Sequence, residues 1–219
     1  MFPKFALSVP QCQANFGNGA LDHGANQRTE VILEPVRYSA VELLRDGRSV
    51  EIRAIRPDDR AELAAAVDRS SLQSVYRRFF AVRRFFSDQE LEFFSNVDFV
   101  NHVALVAVME LDGKSTIAGG CRYVVVRPGT AEMAFFVVDQ HQGYGIGAAL
   151  MGHLAAIARS AGLNELVADV LSDNTAMLKL LEKTGLPVIS RQQSGVVHVA
   201  LRLRQEPDLF SRSDQTRHP

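Results

Sequence analysis

Residues 141–150 read HQGYGIGAAL, in which Gly143, Gly145 and Gly147 alternate and run straight into an alanine-rich apolar stretch, directly after the strand-like AEMAFFVVD. Glycines let backbone N–H groups close on a ligand, and the helix start behind them adds positive potential. The chemistry this suits is the binding of a pyrophosphate. A tight strand-to-helix connection is the plainer alternative, and it accounts for one or two glycines rather than three in alternation. Gly143, Gly145 and Ala148 also satisfy the dinucleotide pattern G-x-G-x-x-G/A, with acids at Glu165 and Asp169 about where that pattern wants one. A dinucleotide fold needs a parallel sheet of repeated βαβ units, however, and here a hairpin meander precedes the turn and too little chain follows it. The stretch DGKS at 112–115 fails as a phosphate loop, because Val108 stands where the first glycine should be.

A second residue able to do chemistry is Glu132, on the segment leading into the glycine turn. Period-two alternation puts it on one strand face with Ala134, Phe136 and Val138. A carboxylate among such neighbours has its pKa raised by desolvation, from about 4.3 towards the value a general base needs at neutral pH. The bland alternative is an exposed glutamate at a strand edge.

The elements that position these residues are legible in the periodicity. SVEIRAIR reads as a first strand, RPDD opens a helix over RAELAAAVDR, SLQSVYRRFF is a second helical segment, and Ser87 with Glu90 forms a capping-box pattern before a third. HVALVAVMEL, STIAGGCRYVVV and AEMAFFVVD are separated by turns short enough only for antiparallel hairpins. The helix after the glycine turn repeats Ile146, Leu150, Leu154, Ile157 and Ala161 and stops at Gly162. A strand (ELVADVL), a helix opened by Asp173 or Asn174 and closed at Gly185, and two strands (PVISRQ and GVVHVALRL) follow. The expected fold class is α/β (α+β), a mostly antiparallel mixed sheet of six to seven strands flanked by about four helices. Residues 1–36 and 205–219 lack such periodicity and are expected to be disordered or loosely packed extensions of a domain at 37–204.

A chain of 219 residues with 47% hydrophobic content suits one domain plus tails. The net charge of −1 leaves no electrostatic footprint for a general nucleic-acid or anionic-membrane binder. Cys12 and Cys121 have neither metal-ligand spacing nor the density of a disulfide scaffold, which fits a reducing compartment. With no apolar run near the ~18 residues of a membrane span and no signal-peptide core, a soluble cytoplasmic protein is expected.

Gln142-Gly143-Tyr144-Gly145-Ile146-Gly147 matches the Q/R-x-x-G-x-G/A acyl-CoA signature of the GNAT acyltransferase superfamily, and the order of elements over about 155 residues resembles that superfamily's. SVYRRFF, VDFVNHVALVA, AEMAFFVVDQHQGYGIG and VLSDNTAMLKLLEKTGL resemble more narrowly the bacterial Pat-type protein lysine acetyltransferases. The resemblance implies an acetyl-CoA-dependent N-acetyltransferase. In it the backbone of Phe136, Val137 and Val138 binds the pantetheine arm, and Gln142 with the amides of Gly143, Tyr144, Gly145, Ile146, Gly147 and Ala148 receives the pyrophosphate. Asn174 contacts the cofactor, or is a plain N-cap, and Glu132 is the general base for attack by a lysine amine. The acceptors it implies are protein lysines, with a small-molecule amine or a non-catalytic acyl-CoA sensor as alternatives, in a monomer or homodimer.

The resemblance also exposes a departure: Leu181 stands where many relatives carry the tyrosine that protonates the leaving thiolate, so Tyr76, Tyr123 or Tyr144 must substitute if any group does. The doubled Arg77-Arg78-Phe79-Phe80 and Arg83-Arg84-Phe85-Phe86 reads either as a helix end with arginines in solvent or as an acceptor-side rim. His102 reads as a core histidine. Pat-type proteins often carry a regulatory or ligase-like domain. No stretch reads as one here, so control is expected from elsewhere or from the N-terminal extension.

Overall fold

The computed structural model describes residues 34–82 and 85–204, so the expectations for 1–33, 205–219 and Arg83-Arg84 lie outside the described residues. The elements run β1 (Ser39–Leu43), β2 (Ser49–Ala54), α1 (Arg60–Asp68), α2 (Leu72–Phe79), α3 (Asp88–Ser95), β3 (His102–Leu111), β4 (Lys114–Arg127) and β5 (Thr130–Val137). They continue with α4 (Ile146–Ser160), β6 (Glu165–Leu171), α5 (Thr175–Glu182), β7 (Val188–Gln193) and β8 (Val196–Arg202). They build one eight-stranded sheet in the order β1-β2-β3-β4-β5-β6-β8-β7. Every pairing is antiparallel except β5 with β6. The mixed fold stands, with eight strands and five helices in place of six to seven and about four. The extra strand is β1, a five-residue edge strand with no buried position, too short to carry a periodic signal and with its Val41 and Leu43 turned to solvent. Three of the residues assigned to the N-terminal extension, Glu34, Pro35 and Val36, lead into or lie within a 3-10 turn at Pro35–Arg37.

The core explains why β3 reads as an unbroken apolar run. Val103, Leu105, Ala107 and Met109 pack on the side of the sheet covered by α4, and Ala104, Val106 and Val108 on the opposite side. A strand covered on both faces has no polar alternation. Ile146, Leu150, Leu154 and Ile157 of α4 are each at most 1% exposed. Ala161 is exposed because it is the C-cap, and Gly162 beyond it takes φ +78°. The Ser87/Glu90 capping box opens α3, as the sequence predicts, and Ser71 caps α2.

Gly119 in β4 is where β4 and β5 come closest to excluding a side chain. A Cβ there would stand 2.7 Å from the Phe136 carbonyl oxygen, a backbone atom that cannot swing away. Gly119→Ala is expected to cost about 1–3 kcal/mol through overpacking, read as a lowered urea midpoint with an unchanged slope. A midpoint equal to the parent's would show that β5 moves freely there.

Candidate active site

The sheet opens after Glu132, ahead of the glycine turn. β5 and β6 pair only at Thr130 with Glu165, Ala131 with Leu166 and Glu132 with Val167, whereas β6 stays paired with β8 to its end. From Ala134 onward β5 has β4 on one side and no strand on the other. This wedge is a groove one strand wide, with backbone hydrogen-bonding groups along one wall.

The stretches expected to bind pantetheine divide unequally along it. Phe136 and Val137 lie on the open stretch, but the Val137 carbonyl already accepts from Gln142 Nε2 at 2.9 Å. Val138 lies just past β5 and is fully buried; its N–H donates to Ala118 and its carbonyl accepts from His141. Of the three it offers least to a ligand. The Gln142 side chain also reaches Ser74 Oγ at 3.3 Å, so it braces the end of β5 against α2. Asp139 strengthens the brace by accepting from Ser71 N, Ser71 Oγ and Ser74 Oγ.

At the mouth of the wedge, Gly145 is the N-cap of α4 with φ +107°, and Gly143 has φ +85°. Both values suit glycine alone, and Gly145 has no side chain to cap the helix. The Ala148 amide donates to the Gly145 carbonyl at 3.0 Å. The amides free to meet an anion are therefore those preceding it, in the stretch of Gly143, Tyr144, Gly145, Ile146 and Gly147. Gly147 has a packing role as well, since a Cβ there would touch Leu180 of α5 at 3.5 Å. An uncapped 15-residue helix facing an open groove fits the phosphates of an acyl-CoA, with its pantetheine arm along β5.

Glu132 is the last β5 residue paired with β6, at the apex of the wedge. Cross-strand register puts it opposite Val124 on the face carrying Ala134 and Phe136, away from α4. Burial, with the Asp169 charge added and Arg78 opposing, pushes its carboxyl up to about 7. A carboxylate poised there takes a proton at neutral pH. Asn174 caps α5, its Oδ1 accepting from Met177 N at 3.3 Å, which engages its oxygen and leaves its NH2 for a ligand.

Leu181 is 1% exposed and fills the core, so no acid stands there. Of the tyrosines weighed in its place, Tyr123 pairs with Met133 on the opposite face from Glu132, and burial pushes its pKa up to about 12. His102 is the core histidine expected. It is 8% exposed, stacks on Phe93 at 4.9 Å, and has its pKa pushed down to about 3 by burial and by Arg122. Glu165 pairs with Arg127 and Arg202, and Asp169 binds His198, which leaves neither as a ribose ligand.

Sequence reasoning missed two neighbours of the glycine turn. Arg45 donates its N–H to the Tyr144 carbonyl at 3.2 Å, and its side chain lies 3.9 Å from where a Cβ of Gly145 would stand. Arg48, paired to Asp46, lies over the Tyr144 ring at 4.8 Å. Both flank the turn between β1 and β2, and the signal for it was present as Arg45-Asp46-Gly47-Arg48, a hairpin dipeptide between two arginines.

Known proteins are similar to this chain in sequence and in fold. A family model described as the acetyltransferase (GNAT) family matches residues 69–186. The acetyltransferase Pat of Mycolicibacterium smegmatis is 33% identical over 177 residues, covering 79% of this chain and 50% of Pat. An acetyltransferase of Pseudomonas aeruginosa is 33% identical over 141 residues, 64% of this chain and 76% of its own length. Among solved structures, the GNAT domain of the Streptomyces lividans Pat superposes with a TM-score of 0.68 at 32% identity, covering 75% of this chain and 96% of that domain. The chain thus spans half the length of the Mycolicibacterium Pat and nearly all of an isolated Pat GNAT domain. With its signature turn, wedge and sheet order, the chain belongs to the acetyltransferase (GNAT) family.

Proposed function

We propose that the chain transfers acetyl groups from acetyl-CoA, the acyl donor of its family, to lysine side chains of protein partners, with Glu132 as general base. The observation that carries this reading is Glu132 itself, a carboxyl held at about 7 at the apex of the wedge that receives the thioester. A lysine amine has a pKa of about 10.4, so roughly one in 2,500 is neutral at pH 7, and a base beside it supplies the nucleophilic form. The amine nitrogen then forms its bond to the thioester carbonyl carbon, the C–S bond breaks, and the thiolate leaves. A thiol with a pKa of about 8.5 is a good leaving group, which accommodates Leu181 in the position of an acid. The likeness to Pat proteins supports protein lysines as acceptors.

The deciding experiment incubates the purified chain with acetyl-CoA and the proteome of its own cell, and maps acetyl-lysine, with spermidine-like and amino-sugar amines assayed in parallel. Site-selective protein acetylation above the enzyme-free background is expected. Turnover on small amines alone would overturn the choice of acceptor.

Arg45 is expected to strengthen acetyl-CoA binding by adding a cation beside the glycine turn. Arg45→Gln should raise the Kd for acetyl-CoA by roughly ten- to a hundredfold, the range for a charge-assisted contact. Calorimetry at low and high salt checks this, since the parent's advantage should shrink as salt screens it.

A further inference from the structure

Between the sheet and the layer of α1, α2 and α3 lies a cavity of about 70 Å³, on the side of the sheet that carries Glu132. Its sheet wall includes Ala134 and Phe136, from the stretch of β5 that β6 leaves open. Most of its lining is apolar, with Phe79, Phe86 and Phe94 in mutual ring contact at 4.9–5.9 Å. Two guanidinium groups stand in this lining, those of Arg78 and Arg122.

Neither has a carboxylate within ion-pair distance among the described residues. Arg122 is partly committed to structure: it stacks on Phe94 at 4.6 Å, donates to the Phe94 carbonyl at 3.2 Å and lies 3.0 Å from His102 Nε2. Those contacts engage its donors with neutral groups and leave its charge uncompensated. Arg78 is freer. Its guanidinium lies over the Phe79 ring at 4.6 Å, and the opposing charge that acts on it is that of Glu132. Both residues are half-buried, and the shielding of their guanidinium groups lowers Arg78 to about 10 and, with the Arg78 charge adding to it, Arg122 to about 9. Two like charges facing an apolar cavity are costly, and purely structural arginines would be paired or turned to water. Of the two readings of this helix end, arginines wholly in solvent and an acceptor-side rim, the half-buried Arg78 on the cavity wall suits the second better. An arginine fork on an apolar wall is the usual means of recognising a planar carboxylate.

We propose that this cavity is a carboxylate subsite of the transfer centre, in which Arg78, backed by Arg122, holds a carboxylate brought in next to the reacting thioester. This rests on the proposed transfer reaction and names the substrate class of the same site. The carboxylate has two possible carriers: the far end of a dicarboxylic acyl chain on CoA, of the succinyl class, or an acidic side chain beside the acceptor lysine. The transfer step is unchanged in either case. The amine nitrogen bonds to the thioester carbonyl carbon, its proton passes to Glu132, and the C–S bond breaks to release CoA, while the second carboxylate takes no part in the chemistry.

Two arms separate the carriers. In the donor arm, calorimetry compares the Kd of succinyl-CoA with that of butyryl-CoA, which has the same chain length without the charge, and kcat/KM is measured for both with one lysine peptide. In the acceptor arm, acetyl-CoA is the donor and paired peptides carry Glu or Gln beside the lysine. A preference of about tenfold or more for the charged member in one arm is expected, and that arm identifies the carrier. Arg78→Gln should bring the preferred ratio towards one, with a thermal melt confirming the fold. Should the variant not fold, the parent's ratios still decide. Ratios near one in both arms, from a parent that binds acetyl-CoA and turns over, overturn the subsite and leave the proposed function standing. Failure to bind any acyl-CoA removes both.

Discussion

Glu132→Gln is expected to slow acetyl transfer by about 10²–10⁴-fold at pH 7 while leaving acetyl-CoA affinity nearly unchanged. Gln keeps the shape of the side chain at the apex of the wedge but cannot take a proton. With the carboxyl held at about 7, the parent's rate should climb as pH rises through 7 and then level. The variant depends on the amine alone, so its rate should keep rising towards the amine pKa of about 10.4, and the gap between the two should narrow by pH 9.5. Assays from pH 6.5 to 9.5 on a lysine protein substrate test this, and equal rates at pH 7 would move the base elsewhere. Stability should change in the opposite sense. A folded-state pKa of about 7 against an unfolded value of about 4.3 means that folding favours the protonated carboxyl. That contribution is fully present below about pH 4 and is lost as pH rises through 7. The variant should therefore melt above the parent at pH 8 and level with it at pH 4.

Gly145→Val should abolish measurable acetyl-CoA binding without unfolding the domain. At φ +107° a β-branched residue is strained, and relieving the strain turns the first amides of α4 out of line with the groove. The domain should survive, because a Cβ at the half-buried Gly145 meets only the Arg45 side chain, at 3.9 Å, while the packing of α4 rests on Leu150, Leu154 and Ile157. Calorimetry with acetyl-CoA and a thermal melt form the test. Binding equal to the parent's would reduce the turn to a connector.

The meander, the long helix and the turn were legible because each rests on a local pattern: continuous apolar residues in β3, 3.6-residue spacing in α4, and alternating glycines at 143, 145 and 147. The face of Glu132 was legible for the same reason, since alternation along β5 is local. What the sequence hid depends on elements far apart in the chain meeting in space. Arg78 reads as a helix-end cation until α2 is laid over β4 and β5, and Arg45 reads as a turn residue until β1 and β2 fold the turn against Tyr144. The dual use of Gln142, a signature residue whose side chain braces β5, was hidden likewise.

With only three residues pairing β5 to β6, a donor bound along β5 as proposed would be a structural member of the sheet. Among the strand pairings those three alone join β6, β8 and β7 to the other five strands, with the Arg127–Glu165 ion pair at one end and α4 on one face also spanning the two parts. An acyl-CoA lying along β5 stands in for the missing length of strand, so occupancy should tie the two parts together and raise the melting temperature. At a concentration 100 times Kd the linkage is about 2.7 kcal/mol. In a cell, the level of acetyl-CoA would then set how long this protein survives as well as how fast it works, and a starved cell would hold a looser, more readily degraded pool.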